Sequence, residues 1–421
     1  MNYIKKQLGS YNLHMIKTDK FKRINMEIIF SNYISKDKIT LNNFLSSMLT
    51  FSTKKYPTKN KFARELENLY VAKIFPSTYR IGKYHNIDFN LTMLNEKYTE
   101  NGMFEKTLDF LKEIIFNPNV VNGEFDLNSF NIVKNDQLSQ IERFKEDSRR
   151  YSILKLFELV DKNAPFAQNL CGDKEELEKI NPKNLYEYYK DFIEKSHIDI
   201  FIVGDIDFDK TEKLIREKFK FRVFKNELES PILESFKHRK KYQEVFEKDK
   251  TNQSKLNVAF TIEDMTKFER EYVLNLYNII LGGTADSKFF KNIREKYSLC
   301  YYISSIGNKL DNLLIVNSGI TKENYSKILI LVKKEMEDMQ KGIFSLEDIE
   351  KAQKYYIASL NESLDSPSQI IASYYAMNLM GIDDIETRKE KIMTVNKEDI
   401  VKLSKKIYLD TVFLLGGDKN E

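Results

Sequence analysis

The sequence predicts an α+β protein built from two homologous domains, each a mostly antiparallel sheet packed by helices. Two observations carry this. Helical runs with apolar residues at i, i+3 and i+4 lead into short runs of β-branched and aromatic residues. The order of these runs in the first half then returns in the second. A third observation narrows the class: 14 Gly and 7 Pro in 421 residues disfavour collagen-like, linker-rich or turn-dominated β architectures.

The first half supplies the template. Lys61–Tyr70 (KFARELENLY) reads as an amphipathic helix with Phe62, Leu66 and Leu69 on one face, followed by two strand-like runs on either side of Gly82. Its echo is Lys288–Tyr297 (KFFKNIREKY), followed by LCYYISSIG and NLLIVNSGI. Met103–Phe116 and Tyr325–Met339 are both helical by period. GEFDL (Gly123–Leu127) matches GIFSL (Gly342–Leu346) at an offset of 219 residues (342 − 123), and each opens a long polar-faced helix. Each half closes on a helix and an apolar strand, IDIFIVGD ending at Asp205 and TVFLLGGD ending at Asp418, 213 residues later (418 − 205). A repeat of this length predicts an N-terminal domain over 1–222, a charged, Pro-interrupted linker over 223–246 and a C-terminal domain over 247–421.

Composition excludes several classes. With 42% apolar and 13% aromatic residues the chain can bury a large core. Lys+Arg (67) and Asp+Glu (63) nearly balance at +4, which gives no electrostatic argument for nucleic acid or membrane partners. Two cysteines, Cys171 and Cys300, cannot build a disulfide framework or a four-thiolate zinc site and fit a reducing compartment. No run approaches the ~18–20 apolar residues of a membrane span, and the N-terminus lacks an apolar signal core, so a cytoplasmic protein is expected.

Most catalytic motifs are missing. The four histidines, His14, His85, His197 and His238, are too far apart for two imidazoles at i, i+4. Glu194 and His197 form a single E-x-x-H with no second copy, and a histidine at a helix end explains it. LGGTADSK fails as a phosphate loop because Ser287 stands where a glycine should precede the lysine. There is no G-x-S-x-G elbow, and neither cysteine has an evident histidine partner.

One run carries a resemblance. LGGTADSKFFKNIREKYSLCYYISS is similar to the C-terminal-half signature of the pitrilysin-like (M16, inverted-zincin) metallopeptidases, with Leu281, Gly282, Gly283, Ser287, Phe290, Ile293, Arg294, Glu295, Lys296, Leu299 and Tyr301 matching. The resemblance, together with the repeat, covers nearly the whole chain and implies that family's metallohydrolase fold, shared with mitochondrial processing peptidases. Active relatives carry H-x-x-E-H on a helix of the N-terminal half, two histidines holding zinc and the glutamate activating water, with a later glutamate as third ligand. Here NFLSSMLTF puts Asn43, Ser46 and Ser47 at those places, and a loose alignment puts Gln140 at the later glutamate. The apolar spacing of Leu41, Phe44, Leu45, Met48 and Leu49 keeps the helix. Amides and hydroxyls are weak zinc ligands and cannot deprotonate water near neutral pH, so no metal or cofactor is expected in this chain.

What the resemblance leaves is Arg294 and Tyr301, the pair that reaches the substrate carbonyl or tetrahedral oxyanion in the family, with Gly282 and Gly283 at a substrate-binding position. Some bacterial members split the site between two chains, one with H-x-x-E-H and one with the Arg/Tyr pair. The resemblance therefore implies a catalytically incomplete subunit, inactive alone, pairing with a homologous zinc-bearing chain or with itself around an unfolded peptide. The alternative is a scaffold or interaction protein that has kept the fold without the chemistry.

Overall fold

The computed structural model describes residues 1–222, 227–235, 237–249 and 253–416, apart from the Lys145 side chain. Residues 223–226 and 236 of the expected linker, and Asp418 of the second G-D echo, lie outside these. Along the chain come β1 (Asn2–Leu8), β2 (Tyr11–Lys17), β3 (Arg23–Tyr33), α1 (Lys36–Leu49), α2 (Lys59–Asn68), β4 (Lys73–Ile81), β5 (Tyr84–Leu94) and α3 (Met103–Phe116). A small hairpin follows, β6 (Val120–Val121) and β7 (Glu124–Phe125), then α4 (Leu127–Glu146), α5 (Ser148–Asp161), α6 (Lys174–Lys179), α7 (Pro182–Lys195), β8 (His197–Gly204) and α8 (Phe208–Lys218).

The second half runs β9 (Gln243–Glu247), β10 (Ser254–Ile262), then a helix over 269–283 whose central α-helical turns, α9 (Leu274–Asn278), lie between π-helical ones. A π-helical stretch over Phe290–Glu295 leads to β11 (Cys300–Asn308) and β12 (Leu313–Ile320). The chain closes with α10 (Tyr325–Gln340), α11 (Leu346–Ser363), α12 (Pro367–Met380), α13 (Ile385–Thr394), α14 (Lys397–Ser404) and β13 (Ile407–Leu415). This is the α+β class read from the sequence.

Two compact units result. Unit 1 holds residues 1–143, 169–230 and 365–375, and unit 2 holds 144–168, 231–364 and 376–421. Each is thus discontinuous: α5 packs in unit 2 and the first half of α12 packs in unit 1, although the sequence repeat alone divides the chain once. The physical reason is that a sheet has two faces, and the helices local to each half cover only one of them.

In unit 1 the six strands lie in the order β1-β2-β8-β3-β5-β4, antiparallel except for the parallel β2–β8 pair. Alternation along the strands sorts the side chains. Ile24, Met26, Ile28 and Phe30 of β3 and Ile87, Phe89 and Leu91 of β5 enter the main core with Phe44, Leu45, Met48 and Leu49 of α1. The intervening residues make the other face polar. There Asp199 accepts from Asn12 (2.9 Å), His14 Nε2 (3.1 Å) and His197 Nε2 (3.0 Å), and Tyr3 donates to His14 Nδ1 (2.8 Å). Burial alone would raise the Asp199 carboxyl, but the two imidazoles outweigh it and hold it below the usual range. Glu27 accepts from Asn90 (2.6 Å), and burial pushes its carboxyl up to about 7. Burial, then the neighbouring Glu27, also raises Asp88. The start of α12 covers this face, with Tyr375 hydrogen-bonded to Ser31 (2.9 Å) and Asn86 (3.2 Å).

In unit 2 the order is β11-β12-β10-β13-β9, again antiparallel except for β9–β13. Read from its β4 edge, unit 1 has the same arrangement, with β1 added at the far side. One face of the unit 2 sheet packs Leu256, Val258, Phe260 and Ile262 against the helices. The other packs Ala259, Ile315 and Phe413 against Leu156 and Val160 of α5. No helix among the described residues is long and apolar enough to cross a membrane.

Candidate functional site

Two places in the chain were singled out by sequence, one in each unit. In unit 1, α1 lies against edge strand β4 and presents Asn43, Ser46 and Ser47. Asn43 is buried; its amide donates to the carbonyl of Leu170 (2.6 Å) and accepts from Thr78 of β4. Ser46 is buried and donates back to the Asn43 carbonyl (2.9 Å). Ser47 is half-buried, and its carbonyl accepts from Thr50 (3.3 Å).

Gln140 does not join them. It lies on the exposed face of α4, whereas Gln137, one turn earlier, is buried and donates to the carbonyl of Cys171 (3.1 Å). The correction follows from helical phase: Phe130, Val133 and Ile141 form the buried stripe of α4, and position 137 falls on it while 140 does not. Asn43 and Gln137 thus hold successive carbonyls of the segment 169–172, where the chain re-enters unit 1. Thr40 adds a third bond by accepting from the Asp173 amide (3.0 Å), and a Cβ on Gly172 would lie 2.9 Å from the Thr40 hydroxyl.

A zinc ion does not fit this set. The side chains are amides and hydroxyls, those of Asn43, Ser46 and Gln137 donate to backbone carbonyls, and no three or more His, Cys, Asp or Glu among the described residues meet in a metal-binding group. The imidazole in this region, His85, accepts from Asn42 at Nδ1 (2.8 Å), and burial lowers it to about 4, so it is neutral.

In unit 2 the glycine pair ends the helix over 269–283. Gly282 is buried, and a Cβ there would sit 2.6 Å from both the Phe289 ring and the Ser305 hydroxyl of β11. Gly283 would meet Asn278 at 2.9 Å. Gly282, expected at a substrate-binding position, is thus placed in close helix–strand packing. The next helix carries Arg294, exposed, with its guanidinium 4.7 Å from the centre of the Phe290 ring. The turn ends at Ser298, which adopts φ 51° and donates its amide to the Arg294 carbonyl (2.9 Å).

Tyr301 follows on β11, the edge strand of its sheet. Cys300 pairs with Ile320 and Tyr302 with Gly319, so Tyr301 is the unpaired residue of a β-bulge, and it is 61% exposed. Tyr302 is fixed: its ring lies over Gly319, where a Cβ would be 2.5 Å from it, and Arg149 stacks on it at 5.2 Å. A bulge of this kind re-aims one side chain while its neighbours stay in register, and here that side chain is the phenol of Tyr301. The charge of Arg294 reaches the neighbouring thiol: burial raises Cys300 and the guanidinium opposes it. Arg294 and Tyr301 thus flank the start of the same edge strand. Sequence reasoning missed the burial of Gln137 and the bulge; the first was recoverable from the period of α4, the second from nothing local.

Comparison with known proteins gives the family of the chain. Residues 179–356 match the model of the Peptidase M16 inactive domain. The chain is 30% identical, over 99% of its length and 98% of the relative's, to a probable inactive metalloprotease, YmfF, of Bacillus subtilis. Its fold matches a conserved protein from Enterococcus faecalis V583 with a TM-score of 0.89 and 26% identity, each chain covered in full. A peptidase M16 inactive domain from Pseudomonas fluorescens matches at 0.81 and 17% identity over 100% of this chain and 99% of that one, a likeness of fold alone. Strand order, signature run and full-length similarity lead to one conclusion: the chain belongs to the M16 metallopeptidase family, as a member without the H-x-x-E-H zinc motif.

Proposed function

We propose that this chain is the metal-free subunit of a two-chain M16 peptidase. It contributes Arg294 and Tyr301 to a peptide-cleaving site whose zinc, with its H-x-x-E-H helix, belongs to a homologous partner. The observation that carries the reading is the contrast between the two places. Asn43 and Gln137 are occupied with backbone carbonyls, whereas Tyr301 is turned outward on a bulged edge strand beside an exposed guanidinium. An unpaired strand edge can receive an extended peptide through main-chain hydrogen bonds. A phenol and a guanidinium at that edge can donate to a carbonyl oxygen as it gains charge, which is oxyanion stabilisation. No proton needs to leave either group. The water-activating step is the partner's, and this chain's share is orientation and charge stabilisation.

The test is reconstitution with the homologous H-x-x-E-H chain from the same genome. The mixture is expected to cleave unfolded peptides, and neither chain alone to do so. Full activity of the zinc chain by itself would defeat the reading. The scaffold alternative has one observation in its favour, the closed hydrogen bonding around Asn43, and it predicts a stable complex whose activity ignores Tyr301.

A further inference from the structure

The surface beside Tyr301 has an unusual charge pattern. On the helix leading to it, Lys288 pairs with Glu335 (3.0 Å) and Lys291 with Asp286 (3.3 Å). Three cations further along are different. Arg294, Lys296 and Lys327 of α10 are exposed, and among the described residues none has a carboxylate within ion-pairing distance. Lys296 and Lys327 instead approach the ring of the exposed Tyr297, with their ammonium groups 5.4 and 5.3 Å from its centre. Arg294 lies over Phe290 in the same way. Cation–π contacts hold these side chains in place without neutralising them, so their charge and hydrogen-bond donors stay available. The nearby acids, Glu295 and Glu323, are exposed and outside ion-pairing distance of these three cations; hydrogen bonds from its own backbone amide and from Thr321 hold the Glu323 carboxyl below the usual range.

We infer that this patch selects the charge of the peptide: the ligand that docks along β11 is an extended segment carrying Asp or Glu residues where it passes Tyr297. The inference rests on the reading of Arg294 and Tyr301 as peptide contacts and adds a substrate class to it. Three features favour a peptide over a nucleic acid. The patch holds three cations and no broad basic field, the chain as a whole is only +4, and the patch adjoins a free sheet edge that matches an extended backbone. Exposed charge pairs contribute modestly, so each lysine should be worth about threefold to fivefold in affinity at low salt.

The experiment is fluorescence anisotropy with the full chain and three labelled ten-residue peptides of one backbone sequence, carrying three Asp, three Asn or three Lys. The Asp peptide should bind about tenfold tighter than the Asn peptide, and the Lys peptide weakest. The preference should fade in 0.5 M NaCl, where screening acts over ~3–5 Å. Lys296→Ala with Lys327→Ala should remove it, and Lys296→Glu with Lys327→Glu should invert it; both positions are on the surface, so folding is not at stake. Equal binding of the three peptides, a preference indifferent to the lysines, or tighter binding of a single-stranded oligonucleotide would each overturn the inference. Because the readout is binding to this chain, with neither partner nor hydrolysis, a charge-blind result leaves the reading of the Arg/Tyr pair to be judged by reconstitution.

Discussion

Single side chains decide the chemistry of this molecule. Asn43 and Gln137 each donate to a carbonyl of the half-buried 170–171 segment, so truncating either leaves an acceptor unpaired. Asn43→Ala should cost about 1–3 kcal/mol of unfolding free energy in a denaturant titration. Rebuilding the motif by Asn43→His, Ser46→Glu and Ser47→His should still give no stoichiometric zinc by elemental analysis, because Gln137 offers no carboxylate and the 170–171 backbone faces the site. Glu27 gives a second prediction. Its carboxyl is raised to about 7 in the folded chain against 4.5 for a free side chain, so the folded state holds the proton more tightly. Its stability contribution is therefore present below pH 4.5 and is lost as pH rises through 7. Glu27→Gln should remove that part of the decline, raising the melting temperature at pH 8 relative to the parent and little at pH 5. At this scale a continuous motif drew attention to Arg294 and Tyr301, and the structure places both as exposed residues at the start of β11. The sequence did not show that Gln140 would be exposed and Gln137 buried, because a loose alignment ignores the three-residue step between two helical positions.

Elements explain why those side chains sit where they do. The helix over 269–283 approaches β11 so closely that only glycine fits at 282, with Ser305 and Phe289 on either side. Gly282→Ala should push the strand away, costing about 1–3 kcal/mol as an overpacked core position does. If peptide binding depends on the placement of β11, the same substitution should weaken it while Gly283→Ala, at an exposed residue, changes it less. Periodicity made most of these elements readable. Alternation in β3, β5 and β8 separates an apolar face from a polar one, and the i, i+3, i+4 spacing of α1 survives the loss of its histidines. The bulge at Tyr301 was not readable, since it arises from pairing with β12 and no residue of β11 announces it. What covers the polar face of the first sheet was equally unreadable, because its partner, the start of α12, lies some 340 residues from β3 (367 − 23).

Over the whole molecule, the two units hold sheets of the same strand order, including the one parallel pair in each. What sequence spacing hid is that each unit borrows a helix: α5 covers the second face of the unit 2 sheet, and the first half of α12 that of unit 1. A chain cut once between 222 and 247 should therefore yield halves that each expose a sheet face, and the isolated C-terminal piece should aggregate through Ala259, Ile315 and Phe413 unless residues 144–168 are supplied. The account as a whole turns on what Tyr301 and Arg294 do once a zinc-bearing partner is present. The most direct measurement is steady-state hydrolysis by the reconstituted pair with Tyr301→Phe in this chain. The account predicts that kcat falls about 10²–10³-fold while complex formation and zinc content stay unchanged. Unchanged kcat with an intact complex would contradict it and leave the chain a scaffold.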